Sequence, residues 1–185
     1  MTGITHEQSQ AAQRSAGRDK WGHMLIEAED RHFAALIAGE APAGFRLAEA
    51  GIETPEILTM LRGLAARIRE SFSPAAWMMV EDGELVGLCS LLNAPGADKA
   101  CAIGYGVAAS HRRRGVATRA IAELLDWARR DQQILTFTAE TVVDNRPSHR
   151  VLEANGFHLI GGRTDPEDGD LFCWHCDVNA RPVAD

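Results

Sequence analysis

Three segments of the chain carry apolar residues at the spacing of one helix face, and a fourth opens at Asn145-Arg146-Pro147 and stops at Asn155-Gly156. The clearest covers residues 116–130, where Glu123 and Asp126 face away from the apolar stripe. Thr54 followed by Pro55 is typical of a helix start, because threonine caps the first turn and proline lacks an N–H that would need a partner. The pattern therefore predicts helices over residues 29–39, from Thr54 to before Pro74, over 116–130, and from Asn145 to Asn155.

The remaining apolar runs are short and typical of strands. Asp82-Gly83 between two of them predicts a hairpin. We expect strands near residues 45–48, 77–80, 85–91, 100–107, 134–139, 157–161 and 171–178. Helices that interrupt an antiparallel meander indicate an α+β fold with a mixed sheet.

The chain has 185 residues, which suits one compact domain. Residues 1–20 show no apolar stripe, so we expect a flexible or weakly ordered extension there and a single domain over 21–185. Hydrophobic residues make up 45% and charged residues 24%, so a general lack of structure is excluded. No apolar run has the roughly 20 residues needed to cross a bilayer, and residues 1–18 lack the apolar centre of a secretory signal. We expect a cytoplasmic protein.

The net charge of −7 disfavours nucleic acid and anionic membranes as partners. The cysteines are expected to be free thiols, because a domain of this size builds its own core. Cys173 and Cys176 form a C-x-x-C, but on a strand they point to opposite faces and have no second ligand pair. We therefore expect no metal site.

A loop rich in Arg and Gly joins the predicted strand 100–107 to the helix 116–130. The first N–H groups of a helix have no internal partner and lie at the positive end of its dipole, which favours an anion. Gly115 and the small Ala117 leave the backbone accessible, and Thr118 adds a hydroxyl donor. Three arginines, Arg112, Arg113 and Arg114, supply a local positive field suited to a pyrophosphate.

This segment is neither a P-loop nor a dinucleotide-binding glycine motif. Arg112-x-x-Gly115-x-Ala117 resembles the acyl-CoA motif of the GNAT superfamily of acetyl-CoA-dependent N-acetyltransferases. A second block, in which Asn145 opens a helix that ends before Gly156-Phe157, is similar to a later block of that family. The resemblance covers residues 45–178, and its later part is most like the Rim-type branch, which acetylates protein N-termini and small amines.

The resemblance implies a mostly antiparallel central sheet, flanked by helices, in which two strands are splayed at a β-bulge near Gly106 and Val107. The pantetheine arm of acetyl-CoA is expected in that gap. The implied cofactor contacts are Val107 and Asn145 with pantetheine, and the pyrophosphate with the segment Arg112, Arg113, Arg114, Gly115, Val116, Ala117 and Thr118.

Acetyl transfer needs an oxyanion donor, a base for the amine and a proton for the leaving thiolate. Many relatives use a tyrosine as the acid, but its position here is Leu152. Ser148, one helical turn away, is our candidate donor to the sulfur; alternatively it is an ordinary serine of a helix start. Glu140 is the candidate base, with a structural carboxylate or attack assisted by water as the alternatives.

We therefore expect an N-acetyltransferase that moves acetyl from acetyl-CoA to a primary amine, of a small molecule or a protein N-terminus, by direct attack. Two alternatives stay open: an acyl-CoA-binding module without catalysis, and an acyltransferase with a longer donor. Residues 29–70 and 165–170 are expected to wall the acceptor site. Dimerisation is common among similar proteins, so a homodimer is also an expectation.

Overall fold

The computed structural model describes residues 24–180. The extension expected over residues 1–20 lies outside the described residues. No helix in the described range is long and apolar enough to cross a membrane.

The described chain contains eight strands and four helices. The strands are β1 (Met24–Glu27), β2 (Arg46–Leu47), β3 (Ala76–Glu81), β4 (Glu84–Leu91), β5 (Ala100–Val107), β6 (Thr136–Val142), β7 (His158–Asp165) and β8 (Gly169–Asp177). The helices are α1 (Asp30–Ile37), α2 (Pro55–Arg69), α3 (Val116–Asp131) and α4 (Arg146–Ala154).

The strands form one sheet in the order β1-β3-β4-β5-β6-β8-β7, with the short β2 beside β4. Only the β5–β6 and β2–β4 pairs are parallel; the other pairs in the described sheet are antiparallel. The expected mixed, mostly antiparallel sheet is therefore confirmed. The β3–β4 hairpin turns at Asp82 and Gly83, which both have positive φ, as the Asp-Gly pair predicts.

The predicted helix starts are present. The Thr54 side chain accepts a hydrogen bond from Ile57 N at 3.4 Å, and Asn145 accepts one from Ser148 N at 3.2 Å. On α3 the expected stripe is buried: Val116, Ala120, Ile121, Leu124, Leu125 and Ala128. On α2 the stripe is narrower than predicted, because Ile57 is 39% exposed.

Four strand assignments differ from the sequence-based ones. β1 was missed, since three apolar residues and a glutamate give no clear period. β6 begins at Thr136 and extends to Val142, past the predicted end. β7 and β8 are longer than expected, because only Pro166–Asp168 form the turn between them.

Helices cover both faces of the sheet. Tyr105 on β5 reaches α4, with its hydroxyl donating to Ser148 O at 3.3 Å. Its neighbour Gly106 points to the opposite face, where Glu53 precedes α2. Asn155, at the end of α4, donates to Thr118 O at 3.1 Å and so joins α4 to the start of α3.

All four cysteines are free, as expected. Cys173 pairs with Glu140 and Cys176 with Phe137 on β6, so the two thiols lie on opposite faces of β8. Among the described residues no three His, Cys, Asp or Glu side chains are grouped as around a metal ion.

Gly87 on β4 is the tightest point of the β4–β5 pair. An ideal Cβ there would lie 2.6 Å from Gly106 O and 2.8 Å from Met79 Sδ. Gly87→Ala should therefore force the two strands apart and lower the free energy of unfolding by about 1–3 kcal/mol, measured by urea denaturation. Gly63→Ala in α2 is the control. Its Cβ would meet only Arg67 Nη1, at 3.7 Å, so it should stabilise the protein or leave it unchanged.

Candidate active site

A gap between β5 and β6 dominates the centre of the sheet. The two strands pair only at Ala100–Thr136, Cys101–Phe137 and Ala102–Thr138. Beyond these pairs, β5 continues against β4 and β6 continues against β8. The strands therefore part after Ala102, and the gap includes Gly106 and Val107, where the sequence predicted it.

The bulge lies on a different strand from the one expected. β5 keeps an unbroken register against β4 as far as Val107. The shift is in β4, where Met79 pairs with Gly87 and Val80 with Leu85, leaving Val86 as the extra residue. Val86 O accepts from Ala108 N at 2.8 Å, so the extra residue keeps β4 bonded to the chain just past the end of β5.

The backbone of β5 presents polar groups to the gap. Ala108 N donates to Val86 O, and Ala102 O accepts from Leu92 N at 2.8 Å, so both residues bond toward β4. Because backbone groups alternate in direction along a strand, those of Ile103, Tyr105 and Val107 point the other way, into the gap. The Val107 N–H is therefore directed into the gap.

The Arg-Gly loop is attached to the end of this strand. Arg112 Nε donates to Val107 O at 3.0 Å, which uses one of the five donors of the guanidinium. Arg113 and Gly115 have φ of 61° and 74°, so the loop bends sharply before α3. Arg112, Arg113 and Arg114 are all exposed, which keeps their charge available to an anion at the loop.

Arg119 stabilises this loop through two hydrogen bonds of its side chain. Its guanidinium donates to Arg114 O at 2.9 Å and to Glu81 Oε1 at 2.9 Å. An ideal Cβ on Gly115 would lie 2.8 Å from Arg119 Nη1. The positive φ therefore favours glycine at position 115, and a side chain there would also have to displace the Arg119 guanidinium.

The first turn of α3 begins at Gly115, which has no side chain to cap it, and contains no acidic residue. The Val116 side chain is buried in the core, so only the Val116 backbone N–H is left for the predicted anion binding. Ala117 and Thr118 are half-buried beside it. Their N–H groups lie at the positive end of the α3 dipole, and anion binding there stays a prediction.

Asn145 and Ser148 lie together at the start of α4. The Asn145 Oδ1 caps Ser148 N, so only its amide Nδ2 is left for a ligand. Ser148 bonds to these neighbours through its main chain, with its N–H donating to Asn145 Oδ1 and its C=O accepting from Tyr105. The Ser148 hydroxyl caps nothing among the described residues, contrary to an ordinary helix-start serine.

Neither Tyr105 nor Leu152 offers an acid here. Leu152 is fully buried. Burial raises the pKa of the Tyr105 hydroxyl to about 12, and its proton is directed at Ser148 O. The Tyr105 proton is therefore already engaged by a carbonyl oxygen and is not free to donate to a leaving thiolate.

Glu140 is held in an ion pair. Arg163 donates to both of its oxygens, Nε to Oε1 at 2.7 Å and Nη2 to Oε2 at 2.6 Å. The hydrogen bonds from Arg163 lower the pKa of Glu140 from its ordinary value. Arg163 also binds Asp165 at 2.7 Å, so two carboxylates share one guanidinium.

Comparison with known proteins agrees with this geometry. A family profile described as Acetyltransferase (GNAT) domain matches residues 25–158. The chain belongs to the GNAT acetyltransferase family.

Two curated GNAT relatives align with the chain. It is 33% identical over 86 residues to the uncharacterized N-acetyltransferase YjdG of Bacillus subtilis, covering 45% of this chain and 51% of that one. It is 29% identical over 85 residues to the ribosomal-protein-serine acetyltransferase of Escherichia coli, covering 46% and 48%. The chain thus spans about half the length of the curated relatives that it matches.

A solved GNAT structure resembles the whole fold. Mycobacterium smegmatis RimJ in complex with CoA-disulfide has a TM-score of 0.63 and 25% identity, over 84% of this chain and 81% of that one. The resemblance to Rim-type acetyltransferases stated from the sequence is therefore confirmed.

One carboxylate beside the gap of this GNAT domain was missed by sequence reasoning. An ideal Cβ on Gly106 would lie 2.4 Å from Glu53 Oε1, so this oxygen lies directly over the β5 backbone. Glu53 lies in a loop without a motif, within the range 29–70 expected to wall the acceptor site. The only signal in the sequence is the glycine on β5, which indicates a close approach without naming its partner.

The shared guanidinium gives a testable pattern of titration. Arg163→Gln should raise the pKa values of both Glu140 and Asp165 toward their ordinary range, measured by carboxyl NMR titration. Asp165 has its pKa lowered to about 2, chiefly by Arg163, so its stabilising effect is complete above its unfolded pKa of about 3.9 and is lost as pH falls through about 2. The variant should lose this acid-dependent part of stability, whereas the exposed Arg150→Gln control should titrate like wild type.

Proposed function

We propose that the protein is an acetyl-CoA-dependent N-acetyltransferase that acetylates a primary amine. The observation that carries the proposal is the Val107 N–H, directed into a gap whose end is joined through Arg112 to the start of α3. A strand edge next to an anion-binding helix start suits a ligand with an extended amide arm and a pyrophosphate.

The residues present fit acetyl-CoA. The chain as a whole is acidic, but its three consecutive arginines are exposed at one loop, and the first turn of α3 carries no acidic side chain. In our proposal, the N–H groups of Val116, Ala117 and Thr118 bind the pyrophosphate with the arginines around it. The gap-facing backbone groups of Tyr105 and Val107 pair with the pantetheine amides, and Asn145 Nδ2 binds the arm from the other side of the gap.

The chemistry requires that an amine attack the thioester carbon, that negative charge develop on its oxygen, and that the thiolate leave. In our proposal, the Val107 N–H donates to that oxygen. The Ser148 hydroxyl, which no described residue engages, is our candidate donor to the departing sulfur.

The proton on the amine needs an acceptor. Glu140 remains the candidate base that the sequence suggests, but it can act only after Arg163 releases an oxygen, because both are bound. Solvent water is the alternative that needs no rearrangement.

The acceptor proposed is a protein N-terminus or a small primary amine. One relative is named for acetylating a ribosomal-protein serine, which supports a peptide N-terminus. A cytoplasmic location and a homodimer stay part of the proposal.

A second candidate is an acyl-CoA-binding module without turnover. It is favoured by the buried Leu152 at the position of the usual acid and by the ion pair that occupies Glu140. A transferase with a longer acyl donor is the third candidate, distinguished by competition between acetyl-CoA and succinyl-CoA or propionyl-CoA.

The cofactor loop is tested with two variants of one size. Ala117→Glu places a carboxylate in the first turn of α3, where an acidic residue stabilises the helix, so folding should be retained. Acetyl-CoA binding, measured by isothermal titration calorimetry, should weaken at least tenfold more than in Ala117→Gln, about 1.4 kcal/mol. Equal binding by the two variants would contradict the assigned loop.

Turnover is tested by release of CoA with putrescine, glycinamide and tripeptides beginning with alanine or serine. Ser148→Ala should lower kcat about 10- to 100-fold and leave acetyl-CoA affinity within twofold, because both hydrogen bonds of Ser148 belong to its main chain. Unchanged kcat would remove Ser148 from the mechanism. Tight acetyl-CoA binding without turnover of any acceptor would favour the non-catalytic module.

A further inference from the structure

The Glu53 carboxylate lies close to the backbone of β5. An ideal Cβ on Gly106 would lie 2.4 Å from Oε1, 3.5 Å from Cδ and 3.9 Å from Cγ of Glu53. The carboxylate therefore approaches with its oxygen foremost. Any side chain at position 106 would displace it, so the glycine and the carboxylate are geometrically coupled.

The approach is from the face of the sheet opposite α4. Tyr105 points to α4 and its hydroxyl bonds Ser148 O, so the neighbouring Gly106 faces the other side. Glu53 and Ser148 thus lie on opposite faces of the gap. Val107, whose N–H points into the gap, is the next residue along β5.

Glu53 differs from Glu140 in that no cation of residues 24–180 pairs with it. Within the described part of the chain, its carboxylate takes part in no hydrogen bond or ion pair, although the side chain is half-buried. A partly desolvated carboxylate without a partner is unfavourable, and a bound cation removes that cost.

An apolar wall adjoins this carboxylate. An ideal Cβ on Gly104, two residues before Gly106 on the same face, would lie 3.4 Å from the Leu92 side chain. Leu92 is nevertheless 41% exposed. The face beside the gap therefore offers one negative group and one apolar group, which suits an ammonium attached to an aliphatic carbon.

We propose that Glu53 binds the ammonium group of the acceptor over Gly106 and takes the first of its protons. One proton passes from the ammonium nitrogen to the Glu53 carboxylate, and the freed lone pair forms the C–N bond as the C–S bond breaks. The second proton of the nitrogen leaves with the thiol product, and Glu53 returns its proton to solvent. The inference rests on the proposed acetyl transfer and names the amine side of that site.

Glu53→Gln keeps the size of the side chain and removes its charge. With the panel amine that wild type acetylates fastest, the variant should show a raised KM for the amine and a kcat/KM lowered about 100-fold or more. Its acetyl-CoA affinity, measured by calorimetry, should stay within twofold. Glu49→Gln, in the same loop and exposed, is the matched control and should behave like wild type.

A double-mutant cycle tests the coupling of Glu53 to Gly106. Gly106→Ala should lower kcat/KM about tenfold or more in the wild-type background, because its methyl displaces the carboxylate. In the Glu53→Ala background the same change should cost less than twofold. Retained acetyl-CoA binding shows that each variant is folded.

The outcomes separate this inference from the proposed function. If wild type turns over and the kcat/KM of Glu53→Gln lies within threefold of the wild-type value, the role of Glu53 is overturned and the proposed acetyltransferase activity stands. Equal effects of Gly106→Ala in both backgrounds would do the same. Absence of turnover by wild type with every amine would overturn the proposed function itself.

Discussion

The parting of β5 from β6 after the Ala102–Thr138 pair is the constraint on which the rest of the structure depends. Two parallel strands that separate leave backbone donors and acceptors facing a gap, and such groups need partners. β5 stays in place because its other edge pairs with β4 as far as Val107. The extra residue Val86 extends that pairing to Ala108. The Tyr105 hydroxyl donates to Ser148 O and so joins β5 to the start of α4. The gap is therefore held open by contacts of β5 with β4 and α4, and its backbone groups suit a ligand that hydrogen-bonds as a β-strand does.

Charge is distributed to match this opening. The chain has a net charge of −7, yet the loop at the end of β5 carries three exposed arginines, and a fourth, Arg119, is paired with Glu81 and shapes the loop from behind. Glu53 lies over Gly106, one residue before the end of β5, and the arginine loop follows that end. Opposite charges therefore lie near the same end of the strand, one suited to an anionic ligand and the other to a cationic one.

The sequence predicted those features that depend on local pattern. The hairpin at Asp82-Gly83, the helix starts at Thr54 and Asn145, and the glycine before α3 each follow from the conformational preference of a few adjacent residues. Features that depend on distant pairing were not accessible. The bulge at Val86 can be identified only when β3 and β5 are both aligned with β4. The Glu140–Arg163 ion pair depends on the register of β7 against β8. The contact of Glu53 with Gly106 joins residues from two separate elements. Gly106 could be recognised as a place of close approach, but no local rule identifies what approaches it.

The position of Leu152 shows why the site must be built from other residues. A fully buried leucine there belongs to the core under α4, and a tyrosine hydroxyl in its place would need a polar partner in an apolar setting. The only tyrosine of the chain instead approaches from β5, and its donation to Ser148 O orders the first turn of α4. That bond, together with the Asn145 cap on Ser148 N, satisfies the main chain of Ser148 completely. The hydroxyl of Ser148 is thereby released from the local role that a serine at a helix start usually has. The bond from Tyr105 to Ser148 O thus leaves the Ser148 hydroxyl without a partner among the described residues and available to donate a hydrogen bond, on the face of the gap opposite Glu53.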